Sequence, residues 1–322
     1  MEARVVFMGT PEFALPTLEM LVEHYTVVGV VTQPDRPAGR GRKLVMSPVK
    51  EMALAEGIPV FQPASLRTME AVEHIRAWSA DVAVVAAFGQ ILPPSVLELP
   101  PFGVLNVHAS LLPRWRGASP IQGALLAGDD VTGVTIIKLD EGLDTGPILA
   151  MRETPIDPEE SAGELESRLA QLGADLLKDV LPGYLAGETE PRSQPEEGVT
   201  MTRLIRKSQA RIDWTRTAED LHNHIRAFAP EPGAYTFWNG TRIKVLRSRV
   251  IDDHAVSEEA VAEMEPGTVF LWEDVPSVVT GSGYLALKCV QMAGKRPMEG
   301  DAFVRGRKDI VGATLSSQKP GE

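Results

Sequence analysis

Apolar strand-like runs separated by helix-like segments set the strongest limit on what this chain can fold into. Arg4-Val5-Val6-Phe7-Met8 is apolar and ends at Gly9-Thr10-Pro11, after which Glu12 to Glu23 reads as a helix with proline near its start. A second strand follows at Thr26 to Val31. Then come a helix around Ser47 to Glu56, the short run Val60-Phe61, a helix around Thr68 to Ser79 and the strongly apolar strand Asp81 to Ala87. This alternation predicts an α/β fold with a doubly wound parallel sheet. The first turn lacks Gly-x-Gly-x-x-Gly, so a nicotinamide role loses its main support.

Ser161 to Leu185 reads as a long amphipathic helix, with Leu165, Leu169, Leu172, Leu176 and Leu177 on one stripe. The composition then changes at Gly187 to Gly198, where Pro191, Pro195 and several glutamates mark a linker. Beyond it, Thr217 to Phe228 reads as a helix capped by Thr217 and stopped by Pro230. Short alternating runs follow at Ala234 to Trp238, Arg242 to Val250, Gly267 to Trp272, Ser277 to Thr280 and Tyr284 to Met292. Asn239-Gly240 and Gly281-Ser282-Gly283 supply turns, as a small antiparallel barrel requires. With 322 residues, 43% of them hydrophobic, the chain is long enough for two cores. The expected organisation is a first domain over 1–189, a linker over 190–205 and a barrel domain over 206–322.

The polar residues that ask for a chemical reason lie in Leu105-Asn106-Val107-His108-Ala109-Ser110-Leu111-Leu112-Pro113-Arg114-Trp115-Arg116-Gly117. Val104 to Val107 reads as a short buried strand, which delivers Asn106 and His108, two apart, to one face. An amide that donates two N–H bonds beside an imidazole that titrates near neutral pH suits acyl transfer, with one stabilising an oxyanion and the other moving a proton. Downstream, Gly142-Leu143-Asp144-Thr145-Gly146 forms a tight loop after the strand-like run Gly133 to Lys138. If both strands share one sheet, Asp144 can stand beside His108 at the strand ends and orient the ring.

Asn-x-His followed by Ser-Leu-Leu-Pro-x-x-x-Gly, and then Gly-Leu-Asp-Thr-Gly, resembles the formyltransferases that use 10-formyltetrahydrofolate. The similarity runs over nearly the whole chain and is greatest to the members that formylate methionine on initiator tRNA. Two departures stand beside the motif: Ala109 where many members have glycine, and Pro147 after Gly146 where an acid is common. The resemblance implies a Rossmann-like catalytic domain and an OB-like tRNA-binding barrel. Its catalytic trio would be Asn106, His108 and Asp144, and its folate-contacting segment Ser110, Leu111, Leu112 and Pro113. Phe88-Gly89-Gln90-Ile91, which turns the chain after the strand Asp81 to Ala87, could line a pterin pocket with Phe88, Gly89 and Ile91.

The net charge of −12 argues against a generic polyanion binder, yet its distribution is uneven. Residues 1–199 hold 15 basic and 28 acidic side chains, whereas 200–250 hold 10 basic and 4 acidic. A local basic face on an acidic protein suggests a confined polyanion contact. Lys207 and Arg247 lie in that stretch. A second basic segment, Gln33 to Leu44, is longer than a strand–helix connection needs and carries Arg36, Arg40, Arg42 and Lys43 against one acid. Its prolines and glycines predict a mobile loop without helix. In the resembling family it is the inserted loop that contacts initiator tRNA, with Arg42 as anchor.

The expected partners are therefore 10-formyltetrahydrofolate, as formyl-donor co-substrate, and initiator Met-tRNA, with the chain acting as a monomer. A sibling formylating a small amine, or a hydrolase releasing formate, would share the trio but have little use for the basic segments. One cysteine, Cys289, and the absence of His-Glu-x-x-His spacing argue against a disulfide framework and a metal. No apolar run of about 18 residues and no signal-peptide layout are present, so the expectation is a cytoplasmic protein off the membrane.

Overall fold

The computed structural model describes residues 3–38, 43–257, 261 and 263–318, with backbone only at Ala38 and Lys43. These form two compact units. The first comprises the described residues of 1–120, 131–155 and 166–202; the second comprises those of 121–130, 156–165 and 203–322.

In chain order the first unit contains β1 (Arg4–Gly9), α1 (Leu15–His24), β2 (Thr26–Val31), β3 (Arg36–Ala38), β4 (Lys43–Val45), α2 (Pro48–Ala55), β5 (Val60–Phe61), α3 (Met69–Ala77), β6 (Val82–Ala86), α4 (Pro94–Leu97), β7 (Val104–His108) and β8 (Arg116–Gly117). After α5 (Pro120–Ala127), which from Ile121 belongs to the second unit, come β9 (Val131–Lys138), β10 (Ile148–Pro155), α6 (Ala162–Leu185), whose first turn also belongs to the second unit, and β11 (Met201–Thr202). Among the described residues its main sheet is seven-stranded, in the order β10-β9-β7-β6-β1-β2-β5. Val5, Val6, Phe7 and Met8 are fully buried because β1 lies inside the sheet and is covered on both faces, which is why its sequence is continuously apolar rather than alternating. Edge strand β10 instead alternates in its second half between exposed and half-buried residues. Ser47 and Thr68 cap α2 and α3 by accepting from the Lys50 and Ala71 N–H groups.

The sheet is mixed rather than wholly parallel. β5, β2, β1, β6 and β7 run parallel, whereas β9 runs antiparallel to β7 and β10 antiparallel to β9. The chain moves from β1 outward to β5, then returns to the other side of β1 to lay down β6 and β7. Between β1 and β6 the winding reverses, and a crevice at the carboxyl ends of such strands is where ligands bind in open α/β sheets. Val6, Met8, Ala83, Val85 and Val104 on one face pack with Ala71, Val72 and Ile75 of α3 and Val96 of α4. On the opposite face α6 approaches β7 closely: a Cβ at Gly173 would lie 2.5 Å from a Val107 methyl.

The loop read as irregular between β2 and α2 has hairpin ends. β3 pairs antiparallel with β4, Arg36 facing Val45 and Ala38 facing Lys43. The ladder satisfies backbone groups that an open loop would leave to water. Arg40 and Arg42 lie outside the described residues.

In the second unit, α7 (Ala218–Phe228) precedes β12 (Ala234–Trp238), β13 (Thr241–Ile251), β14 (Val269–Trp272), β15 (Val275–Val279), β16 (Tyr284–Met292), β17 (Met298–Glu299) and α8 (Gly300–Gly306). The antiparallel order is β12-β13-β16-β15-β14, with β17 on β16. The sheet then closes on itself through the segment 312–316. Phe237 of β12 exchanges backbone hydrogen bonds with Ser316, while Val269 of β14 exchanges them with Gly312 and Ala313. Trp214 Nε1 donates to Thr236 Oγ1 at 3.0 Å, and that hydroxyl donates to the Ser316 carbonyl, tying the closing segment to the interior. Cys289 is buried in β16, and burial pushes its thiol up from the ordinary value.

Candidate active site

β7 has Asn106 and His108 on the same face as the α3 cluster, because Asn106 stands beside Val85 in the parallel register. His108, 6% exposed, ends the strand. Its Nε2 lies 3.0 Å from the Trp115 carbonyl. A carbonyl only accepts, so Nε2 carries a proton and Nδ1 bears the lone pair of the neutral ring. Nδ1 is 3.8 Å from Asp144 Oδ2. The Asn106 side-chain amide makes no hydrogen bond among the described residues and is half-buried, leaving its two N–H groups free to donate.

Asp144 reaches His108 by a route different from the one expected. Because β9 is antiparallel, with Lys138 opposite Leu105, the 139–147 connection leaves the sheet at the start of β7 and not beside His108. Leu139 packs on the α3 cluster, and the loop carries Asp144 back along the strand face. Asp140 Oδ1 shapes this loop by accepting from the Gly142 N–H and the Thr145 hydroxyl. Gly146 admits no side chain, since a Cβ would lie 1.9 Å from the Lys138 carbonyl oxygen. Asp144 itself adopts φ 52°, in the left-handed region that aspartate tolerates better than most residues.

Its carboxylate is fixed from the other side. The Gly117 N–H donates to Asp144 Oδ2 at 2.8 Å. Gly117, at φ 105°, belongs to the two-residue ladder of β8 with β11, where Arg116 pairs Met201 and Gly117 pairs Thr202. Trp115 donates its N–H to Thr200 Oγ1 at 2.8 Å, and the Arg114 guanidinium stacks 4.5 Å from the Trp115 ring centroid. Gln194 spans both sides. Its Nε2 donates to the carbonyls of Asp144 and Gly146, at 2.7 and 2.8 Å, and its Oε1 accepts from Arg116 Nη2 at 2.7 Å. The segment read as linker thus hydrogen-bonds into the first unit; Arg192 also exchanges two backbone bonds with Ile148.

The segment Ser110 to Pro113 is a wall whose polar atoms serve its own fold. Ser110 is fully buried and donates to the Arg114 carbonyl, while the Leu112 N–H donates to Thr135 Oγ1. Leu112 is buried, and Leu111 and Pro113 present half-buried apolar surface. Phe88 turns its ring into the core, 2% exposed, and offers only backbone. Its carbonyl accepts from Thr10 Oγ1 and Gln33 Nε2, which joins the turn after β6 to the turns after β1 and β2. Gly89 is exposed at φ 81°, and Ile91 is 73% exposed.

Of the basic residues singled out above, Arg36, Lys207 and Arg247 have side chains among the described residues, and all three are exposed. Arg36 donates to Gln33 Oε1 at 3.0 Å. In the second unit Lys207 is exposed, and Arg247 pairs with Glu299 at 2.6 Å. Gln194, Thr10 and Gln33 were given no part in the site by the sequence reading, and Gly117 stood in its motif without a stated role. Their partners are mostly backbone groups, and only the glycine left a local signal.

A mixed α/β sheet followed by a closed antiparallel sheet is the architecture of the formyltransferases that the chain matches. Residues 3–181 match the family model described as formyl transferase, and 204–308 match that described as formyl transferase, C-terminal domain. The chain is 47% identical over 311 residues to the methionyl-tRNA formyltransferase of Myxococcus xanthus, covering 96% of this chain and 97% of that one. It is 48% identical over 306 residues to the methionyl-tRNA formyltransferase of Chloroflexus aggregans, covering 94% and 97%. The chain belongs to the methionyl-tRNA formyltransferase family. The crystal structure of an N-formyltransferase from Helicobacter canadensis, in complex with folinic acid and dTDP-3-aminofucose, shares the fold at TM-score 0.64 and 19% identity, over 91% of this chain and all of that one. No helix among the described residues is long and apolar enough to cross a membrane.

Proposed function

We propose that this chain, acting as a monomer, transfers the formyl group of 10-formyltetrahydrofolate to the α-amino group of methionine on initiator tRNA, giving N-formylmethionyl-tRNA. The observation that carries the reading is the Asn106 amide two residues from His108 on one strand face, with Asp144 Oδ2 3.8 Å from the ring. The residues present fit the folate. A half-buried amide lacks partners among the described residues, and Leu111, Pro113 and the open backbone at Gly89 offer the apolar wall and backbone groups that a flat heterocycle requires.

When bound, the folate supplies the formyl carbon as electrophile. The Asn106 N–H groups donate to the formyl oxygen as negative charge gathers on it. His108, with its Nε2 proton held by the Trp115 carbonyl, would accept the proton of the attacking amine at Nδ1 and return it to the folate nitrogen, whose bond to the formyl carbon breaks as the new amide bond is kept. Asp144 then faces the charged ring with a fixed negative charge.

The proposed division of labour gives chemistry to 1–189, a connecting role to 190–205 and tRNA binding to 206–322, with the β3–β4 hairpin as a second RNA contact. Arg36, Arg40, Arg42, Lys43, Lys207 and Arg247 meet phosphates. A sibling acting on a small amine, or a hydrolase, would leave both basic segments without a use. Single-turnover transfer from 10-formyltetrahydrofolate to initiator and elongator Met-tRNA, with wild type and His108→Ala, tests the reading. Transfer confined to the initiator, and reduced about a hundredfold or more by the substitution, supports it. Formate release or formylation of a small amine, without transfer to tRNA, overturns it.

A further inference from the structure

Gln194 belongs to no strand or helix, yet its amide uses all of its hydrogen-bonding groups on the frame around one carboxylate. Both N–H groups go to the loop, one to the Asp144 carbonyl at 2.7 Å and one to the Gly146 carbonyl at 2.8 Å. The oxygen accepts from Arg116 Nε at 3.1 Å and Nη2 at 2.7 Å. Arg116 precedes Gly117, whose N–H holds Asp144 Oδ2. The two segments that position the carboxylate are therefore joined once through the carboxylate and once through Gln194. The backbone around Gln194 is itself anchored, by two bonds between Arg192 and Ile148 and by the Arg116 N–H donating to the Thr200 carbonyl.

From this geometry we infer that Gln194 is a positioning residue for formyl transfer: it sets the place of Asp144 beside His108 and touches no reactant. The inference rests on the reading that Asp144 serves His108. Only an amide can hold both sides at once. A carboxylate in its place would keep Arg116 but face two carbonyl oxygens without a proton to give. Asp140 Oδ1 holds the Gly142 and Thr145 end of the loop and the Gly117 N–H holds the carboxylate, but it is Gln194 that bonds the carbonyls of Asp144, at φ 52°, and Gly146; a carboxylate displaced by about 1 Å can lower a rate about a hundredfold.

The experiment measures steady-state and single-turnover transfer from 10-formyltetrahydrofolate to initiator Met-tRNA for Gln194→Ala, Gln194→Glu, Asp144→Asn and Gln194→Ala/Asp144→Asn in the full chain. Gln194→Met, similar in volume and without an amide, replaces Gln194→Ala if that variant does not fold. The expected result is kcat about ten- to a hundredfold lower for both Gln194 variants, KM for either substrate within about threefold, and an altered pH profile of kcat. The double variant should be no slower than Asp144→Asn, because Gln194 acts through that carboxylate. Gln194 variants within twofold of wild type, with Asp144→Asn strongly impaired, would overturn the inference and leave the reading of the trio standing. Multiplying effects in the double variant would overturn it too, by placing the action of Gln194 elsewhere. Asp144→Asn at the wild-type rate would instead remove the reading of the trio, and the inference with it.

Discussion

The Asp144 carboxylate lies closer to the backbone of Gly117 than to the ring of His108. The same Oδ2 is 2.8 Å from the Gly117 nitrogen and 3.8 Å from His108 Nδ1. Hydrogen bonding thus sets the position of the acid, and its effect on the ring is that of a nearby charge. A side chain at Gly117 should disturb both stability and rate. Its φ is 105°, and a Cβ there would lie 2.3 Å from the Thr202 carbonyl oxygen. Gly117→Ala is expected to destabilise the fold by about 1–3 kcal/mol in urea denaturation and to lower kcat along with it. An unchanged denaturation midpoint would count against this account.

Asn106→Asp keeps the shape of the side chain and removes both N–H donors. If the amide stabilises charge that develops only during reaction, kcat should fall by about a hundred- to a thousandfold while KM for the folate changes little. A rise in KM with kcat preserved would make Asn106 a binding residue instead.

His224 in α7 gives the second unit a pH-dependent stability. Burial lowers its pKa from 6.5 to about 4, aided by Arg216 and opposed by a hydrogen bond with the backbone of Ala210. The unfolded chain takes up this proton near pH 6.5 and the folded chain only near 4, so the contribution is complete above about 6.5 and is lost as pH falls between them. Stability at pH 5 should be lower than at pH 7 by roughly 2 kcal/mol from this group. Urea denaturation at the two pH values, in wild type and His224→Leu, isolates the contribution of His224. Equal pH dependence in both proteins would refute it.

Arg247 can meet an RNA phosphate only by giving up Glu299, 2.6 Å away on β17, whereas exposed Lys207 has no ion pair among the described residues. Lys207→Ala should therefore weaken tRNA binding and reduce the salt slope of log K by about one, while Glu299→Gln should strengthen binding. Filter binding across a salt series separates these outcomes. Weaker binding by Glu299→Gln would exclude Arg247 as a phosphate contact.

Much of the fold was legible where burial dictates composition. β1 and β6 read as strands because strands covered on both faces are apolar almost throughout, and the helix starts read at Ser47, Thr68 and Thr217 are capped by those side chains in the fold. Asn106, His108 and Asp144 were legible as types suited to acyl transfer, and His108 and Asp144 do come together. Their geometry was not legible. Nothing local to Gly133–Lys138 says that β9 runs antiparallel, since direction is decided by which neighbour the strand finds. β8 and β11, two residues each, are too short to leave a period. Gln194 was read as part of a linker because Pro191, Pro195 and the glutamates around it mark one, and its partners on the Asp144 loop, being carbonyl oxygens that every residue has, leave no signal in the sequence.

The closure of the second unit through residues 312–316 also bears on how the chain comes off the ribosome. This segment is synthesised after every strand it joins, so β12 and β14 must wait with bare edges until it arrives. During that interval the nascent sheet is open to pairing with another chain, the usual hazard of an unfinished β-structure. Pairing of this segment with β12 and β14 ends the hazard by covering both of those edges.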